Sequence, residues 1–117
     1  MRKGEIHIIP EELKEKKGML KKLPPSFFTG WQDRYVILKD KKLKYLTKES
    51  AKFASGVLNF DHFETTIERS EKDQTKFKLN ISGISDRTFE FKAENAEKCK
   101  EWYDEIFKHI KFSDGFR

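Results

Sequence analysis

One cysteine, Cys99, stands alone in 117 residues. An internal disulfide is excluded, and so is a metal set built on paired thiolates, which fits a reducing compartment. No apolar run approaches the ~18–20 residues of a membrane span. The opening residues show no signal-peptide apolar region, so the expected setting is cytoplasmic. There is no Gly-rich phosphate loop. His7, His62 and His109 are too scattered to form a metal or acid–base set, and no Ser or Cys stands in a recognisable nucleophile turn. The expectation is a non-enzymatic chain with no catalytic residue, no metal and no cofactor.

Aromatic side chains, by contrast, are plentiful. Eleven Phe, three Tyr and two Trp argue against disorder despite 38% charged residues. The length suits one compact domain that buries roughly 65% of its extended-chain surface. Net charge is +5 but unevenly placed. Residues 1–48 hold thirteen Lys/Arg against six Asp/Glu, whereas 49–117 hold twelve against fourteen. The positive excess therefore lies in the opening stretch. An anionic membrane attracts such groups by about 1 kcal/mol per Lys or Arg near its surface.

Residues 1–15 read as an extension, 16–112 as the domain and 113–117 as a tail. In the extension, Ile6 and Ile8 suit an edge strand, while Pro10-Glu11-Glu12-Leu13 suits a short helical turn; both readings stand. Alternating runs predict strands near 17–23, 31–39 and 42–47. Pro24 and Pro25 break pairing after the first, and Asp40-Lys41 turns the chain between the second and third. Further strands are expected at 56–60, 65–68, 76–82 and 87–93, with Phe77, Leu79, Ile81, Phe89 and Phe91 inward. From Asn95 the period changes to three and four: Ala96, Cys99, Trp102 with Tyr103, Ile106 with Phe107, and Ile110 mark a helical face. Glu94 or Asn95 would cap it, and Lys108, His109 and Lys111 would meet its negative end. The expected fold class is mainly β (α+β): a seven-stranded antiparallel barrel or sandwich capped by one C-terminal helix.

Side chains two apart on a strand share a face. Leu20 and Lys22 form such a set, as do Gln32, Arg34, Val36 and Leu38, and Leu43 with Tyr45. Aliphatic groups can thus enter a core while Lys22, Arg34 and Tyr45 gather at its rim, in chemistry suited to an anionic head group.

In this order the motifs resemble the pleckstrin homology domain over about residues 16–112. Gly18-Met19-Leu20-Lys21-Lys22 is similar to the first-strand GxLxK pattern. Trp31-Gln32-Asp33-Arg34-Tyr35-Val36-Ile37-Leu38 resembles the second-strand WKRRWFVL run, and Leu43-Lys44-Tyr45 the LYY that follows. Phe89-Glu90-Phe91-Lys92-Ala93 and Glu101-Trp102 match the seventh strand and the helix. The resemblance implies a PH-like fold and, for phosphoinositide binders, a late first-strand lysine, a spaced basic pair on strand two and a tyrosine on strand three. Carried over, these are Lys22 with Lys21 beside it, Gln32 and Arg34, and Tyr45. Gln32 replaces the first cation of the pair, and Asp33 adds a negative charge. Each lost charge-assisted hydrogen bond is worth about 1.5–3 kcal/mol, so a singly or doubly phosphorylated inositide, or phosphatidic acid, suits the set better than a highly phosphorylated lipid.

Alternatives stand beside these roles. Lys22 and Arg34 either clamp phosphate or are solvated strand-end charges, with Arg34 paired to Asp33 or Asp40. Tyr45 either donates to phosphate or caps the core. Lys21 and Lys44 supplement the field. Phe27 and Phe28, after Pro24-Pro25, either insert into a bilayer or fold back on the barrel. Cys99 and Trp102 read as core. The leading expectation is a monomeric, cytoplasmic module peripherally associated with an anionic phospholipid membrane; a protein-interaction or adapter module is the alternative. Nucleic acid is not an expected partner, because the strand aromatics look inward.

Overall fold

A computed structural model describes residues 13–24, 30–83 and 87–114. The Ile6–Pro10 segment, Phe27 and Phe28 lie outside the described residues. Seven strands form one antiparallel sheet: β1 (Lys16–Lys22), β2 (Gln32–Lys39), β3 (Lys42–Leu46), β4 (Gly56–Asn59), β5 (Thr65–Arg69), β6 (Lys76–Ile81) and β7 (Arg87–Lys92). One helix, α1 (Ala96–Asp114), follows. The strand order is β4-β3-β2-β1-β7-β6-β5. Two meanders, β1–β4 and β5–β7, therefore meet where β1 lies beside β7. That seam has two residue pairs, Lys21 with Lys92 and Lys22 with Phe91.

The alternation seen in the sequence is the alternation of burial. Leu20, Val36, Leu38, Leu43, Leu58, Leu79 and the stacked pair Phe77–Phe91 face the core. Between β2 and β3 the chain reverses in two residues, Asp40 (φ 52°) and Lys41 (φ 64°). This left-handed pair matches the twist of the flanking strands, although neither residue is glycine.

Helix α1 closes the sandwich. The Asn95 side-chain carbonyl accepts from the Lys98 N–H at 2.8 Å, which makes Asn95 the N-cap. Cys99, Trp102, Ile106 and Ile110 are buried at the expected spacing. Three residues depart from the expected pattern, and the first, Ala96, is exposed at the start of the helix. Phe107 is exposed and stacks on Tyr103 instead of entering the core. His109, expected to meet the negative end of the helix, is completely buried. Its Nδ1 accepts from the Lys41 N–H at 3.0 Å, and its Nε2 lies 3.0 Å from the Lys14 carbonyl. Accepting at Nδ1 places the proton on Nε2, which donates to Lys14. The neutral ring thus ties the β2–β3 turn and the residues before β1 to the helix. Burial is the main cause holding its pKa below the ordinary 6.5, against the Lys14 hydrogen bond, Glu105 and Asp40, which favour protonation.

Candidate functional site

The far end of the sandwich from that turn is where the polar residues of the inward faces collect. On β1, Leu20 is the last inward aliphatic and Lys22 follows on the same face. On β2, Gln32 and Arg34 precede Val36. Register places Lys22 opposite Gln32, and Leu20 opposite Arg34.

Lys22 is only 9% exposed. Its Nζ lies 4.8 Å from the Tyr45 ring centre and 5.5 Å from that of Phe89. Two aromatic faces thus hold the ammonium, each attracting it through the ring quadrupole. Tyr45 also packs on the core, as the core-capping alternative expects. Gly56 lies against this ring: a Cβ there would overlap the Tyr45 hydroxyl and come within 2.8 Å of Cε2.

Arg34 is steered by its neighbours. Its Nη2 donates to the Gln32 side-chain carbonyl at 2.8 Å, and its Nη1 to the Asp33 backbone carbonyl at 2.7 Å. Gln32 therefore fixes the guanidinium in place of supplying a second cation. Among the described residues these bonds engage two of the five guanidinium donors, which leaves donors that an anion could use. The Asp33 carboxylate does not oppose Arg34 directly. It pairs with Lys21 Nζ at 2.8 Å, straight across the β1–β2 ladder.

A third cation joins them. Arg87, at the start of β7, stacks its guanidinium 4.5 Å from the Phe89 ring centre. Burial lowers the Lys22 pKa from its ordinary 10.5, and the charges of Arg34 and Arg87 lower it further. Among the described residues none of these three cations forms an ion pair. Lys22, Arg87 and Phe89 line a cleft of about 270 Å³, completed by Leu23, Pro24, Thr88 and Glu90. The arrangement can bind a compact anion by charge-assisted hydrogen bonds at a partly desolvated mouth. Among the described residues no group of His, Cys, Asp and Glu is placed to hold a metal ion.

Of the residues expected from sequence, Lys22, Gln32, Arg34 and Tyr45 are brought together. Lys21 points to the opposite face with Asp33, as alternation requires. Lys44 pairs with Ile37 and Val57, away from the mouth and exposed. Arg87 was not anticipated. Its signal was present: it stands two and four residues before the inward Phe89 and Phe91, the parity that places Lys22 after Leu20.

The model of the PH domain family matches residues 14–111. Among proteins of known identity, the chain is 32% identical over 87 residues to the human interactor protein for cytohesin exchange factors 1, covering 74% of this chain and 20% of that one. It is 28% identical over 103 residues to a PH domain-containing protein of Dictyostelium discoideum, covering 88% and 22%. The chain thus spans about a fifth of the length of these relatives. Among solved structures, the Slm1 PH domain in complex with inositol-4-phosphate superposes with a TM-score of 0.65 at 23% identity, over 80% of this chain and 93% of that one. Family match, strand order and capping helix agree, and nearly the whole length is accounted for by a non-catalytic module: the chain belongs to the pleckstrin homology (PH) domain family.

Proposed function

We propose that the domain associates peripherally with membranes by binding the phosphate of an anionic phospholipid head group at the mouth formed by β1, β2, β3 and β7. The observation that carries this reading is the gathering of Lys22, Arg34 and Arg87 without a carboxylate partner among the described residues. A like-charged cluster costs free energy that a bound anion recovers. Lys22 acts as a point charge, Arg34 as a fork oriented by Gln32, and Arg87 as the third contact. Tyr45 holds Lys22 and can present its hydroxyl. Lys21 and Lys44 add to the field from the outer face, and the functional unit is residues 16–112. With Gln32 in place of a cation, the site suits a phosphoinositide of low phosphorylation or phosphatidic acid. The complex of the Slm1 relative with inositol-4-phosphate supports this ligand class. Among the described residues no helix is long and apolar enough to cross a membrane. The reading relies on attachment at the membrane surface.

The test is vesicle sedimentation with phosphatidic acid and with monophosphorylated phosphoinositide. Arg34→Ala is expected to lose binding at least about tenfold, and binding by the natural sequence should weaken with salt. Sedimentation of Arg34→Ala equal to that of the natural sequence on both lipids would sink the site. A protein-interaction module is the second reading. It is favoured by the missing cation at Gln32 and by the human relative, which is named as an interactor of exchange factors. It prevails if no anionic vesicle retains the domain at physiological salt.

A further inference from the structure

The segment joining β3 to β4, residues 47–55, leaves the sheet beside this mouth. Strand β3 ends at Leu46, opposite Tyr35, so Gln32, Asp33 and Arg34 run on without a β3 partner. The base of the segment is closed by the Ser55 N–H donating to the Tyr45 carbonyl at 2.8 Å. The side chain of that same Tyr45 holds Lys22. Within the segment the Ala51 N–H donates to the Lys48 carbonyl at 3.1 Å, which makes a defined turn.

Two residues beyond this turn, Phe53 is 83% exposed, more than any other large apolar residue described; Met19 follows at 54%. A phenylalanine held almost wholly in water gains nothing for the fold. Its neighbours on either side, Lys52 and Ala54, are exposed as well, as is Lys48. Single exposed apolar residues are common and need no explanation alone. Phe53 differs in having Lys52 beside it and Lys48 in the same short segment, against the single acid Glu49, and in following a defined turn in a segment rooted at Tyr45, the residue that holds Lys22. A protein groove would need apolar neighbours around it to form a contact core, and Ser50, Ala51, Ala54 and Ser55 do not supply one. A bilayer interface asks for a single aromatic wedge with basic residues at the phosphate level.

We propose that Phe53 is a membrane-inserting side chain, with Lys48 and Lys52 meeting anionic head groups around it. The bilayer partner follows from the reading of Lys22, Arg34 and Arg87 as a head-group site, since both must engage one surface. The segment adds the attraction that distinguishes a lipid in a membrane from the same phosphate free in solution.

The experiment measures phosphatidylcholine vesicles doped with phosphatidic acid, and soluble inositol monophosphate in parallel. For Phe53→Ala, vesicle partitioning is expected to fall about tenfold, as loss of one buried aromatic implies. Its affinity for inositol monophosphate and its thermal unfolding stay as in the natural sequence. Phe53→Trp retains binding, and its added emission shifts to the blue and is quenched by brominated acyl chains, against the background of Trp31 and Trp102. Arg34→Ala loses both ligands. Partitioning of Phe53→Ala equal to that of the natural sequence, or an unquenched Phe53→Trp, overturns the insertion and leaves the head-group site standing. A natural sequence that ignores these vesicles and vesicles carrying monophosphorylated phosphoinositide alike overturns both.

Discussion

Replacing Lys22 by Met should move stability and binding in opposite directions. Lys22 is 9% exposed, its charge is raised against those of Arg34 and Arg87, and it has no carboxylate partner among the described residues. Burial lowers its pKa below 10.5 before those charges act. The unfolded chain therefore holds this proton more tightly than the folded one. Stability linked to Lys22 is complete only above about pH 10.5 and is lost as the pH falls through the folded-state value, so at neutral pH the fold carries the full penalty. Met keeps an unbranched stem against Tyr45 and Phe89 while removing the charge. It forfeits two cation–aromatic contacts, each worth about 0.5–2 kcal/mol. It also relieves a buried, unpaired charge, whose cost is several kcal/mol before partial access to water is allowed for. The balance favours Met by about 1 kcal/mol, read as a higher urea midpoint at neutral pH. Vesicle binding should fall about 10- to 150-fold, the equivalent of about 1.5–3 kcal/mol for a lost charge-assisted contact. A Lys22→Met protein less stable by 1 kcal/mol or more, or one that still gains stability on the alkaline side, refutes this reasoning.

Two further perturbations probe the frame around the site. His109 is buried neutral with a lowered pKa, so its contribution is full above about 6.5 and lost as the pH falls from there toward the lower folded-state value. Urea midpoints between about pH 5 and 7 should decline on the acid side, and His109→Leu should flatten that slope while costing about 2–4 kcal/mol from two orphaned backbone groups; an unchanged slope counts against the clamp. Gly56→Ala should displace the Tyr45 ring from Lys22, costing about 1–3 kcal/mol from overpacking and weakening vesicle binding. Native stability together with native binding in Gly56→Ala would show that the ring has room to move.

Much of this fold was legible because strand period and helix period are local properties. Leu20, Val36, Leu43, Phe77 and Phe89 each fall on the buried parity, and Cys99, Trp102 and Ile106 on the buried helical stripe. The same arithmetic placed Lys22, Gln32, Arg34 and Tyr45 at one end. Arg87 was equally within its reach, but a charged residue at a strand's first position reads as solvated until its neighbours across the seam are known. The partner of Asp33 depended on register. Only the pairing of Lys22 with Gln32 puts Lys21 opposite Asp33; from sequence, Arg34 was the nearer candidate. His109 lay further beyond reach, since its partners Lys41 and Lys14 are 68 and 95 residues away. Its place in a run with Lys108 and Lys111 suggested a charge at the negative end of the helix, whereas it is a buried ring with two backbone partners.

The two-residue seam between β1 and β7 bears on the order in which the molecule is assembled. Pairings within β1–β4 join segments close in the chain, whereas Lys22 and Phe91 are separated by almost the whole barrel. Loop closure over that span is the costly step, and contacts of this kind form late. A chain that has emerged only as far as β6 carries Lys22 and Arg34 but neither Arg87 nor the Phe89 ring that helps to hold the lysine. The cationic mouth is therefore a product of closure, and a nascent or partly opened chain lacks the cleft that Lys22 and Arg87 line together. Recognition is tied in this way to completion of the fold.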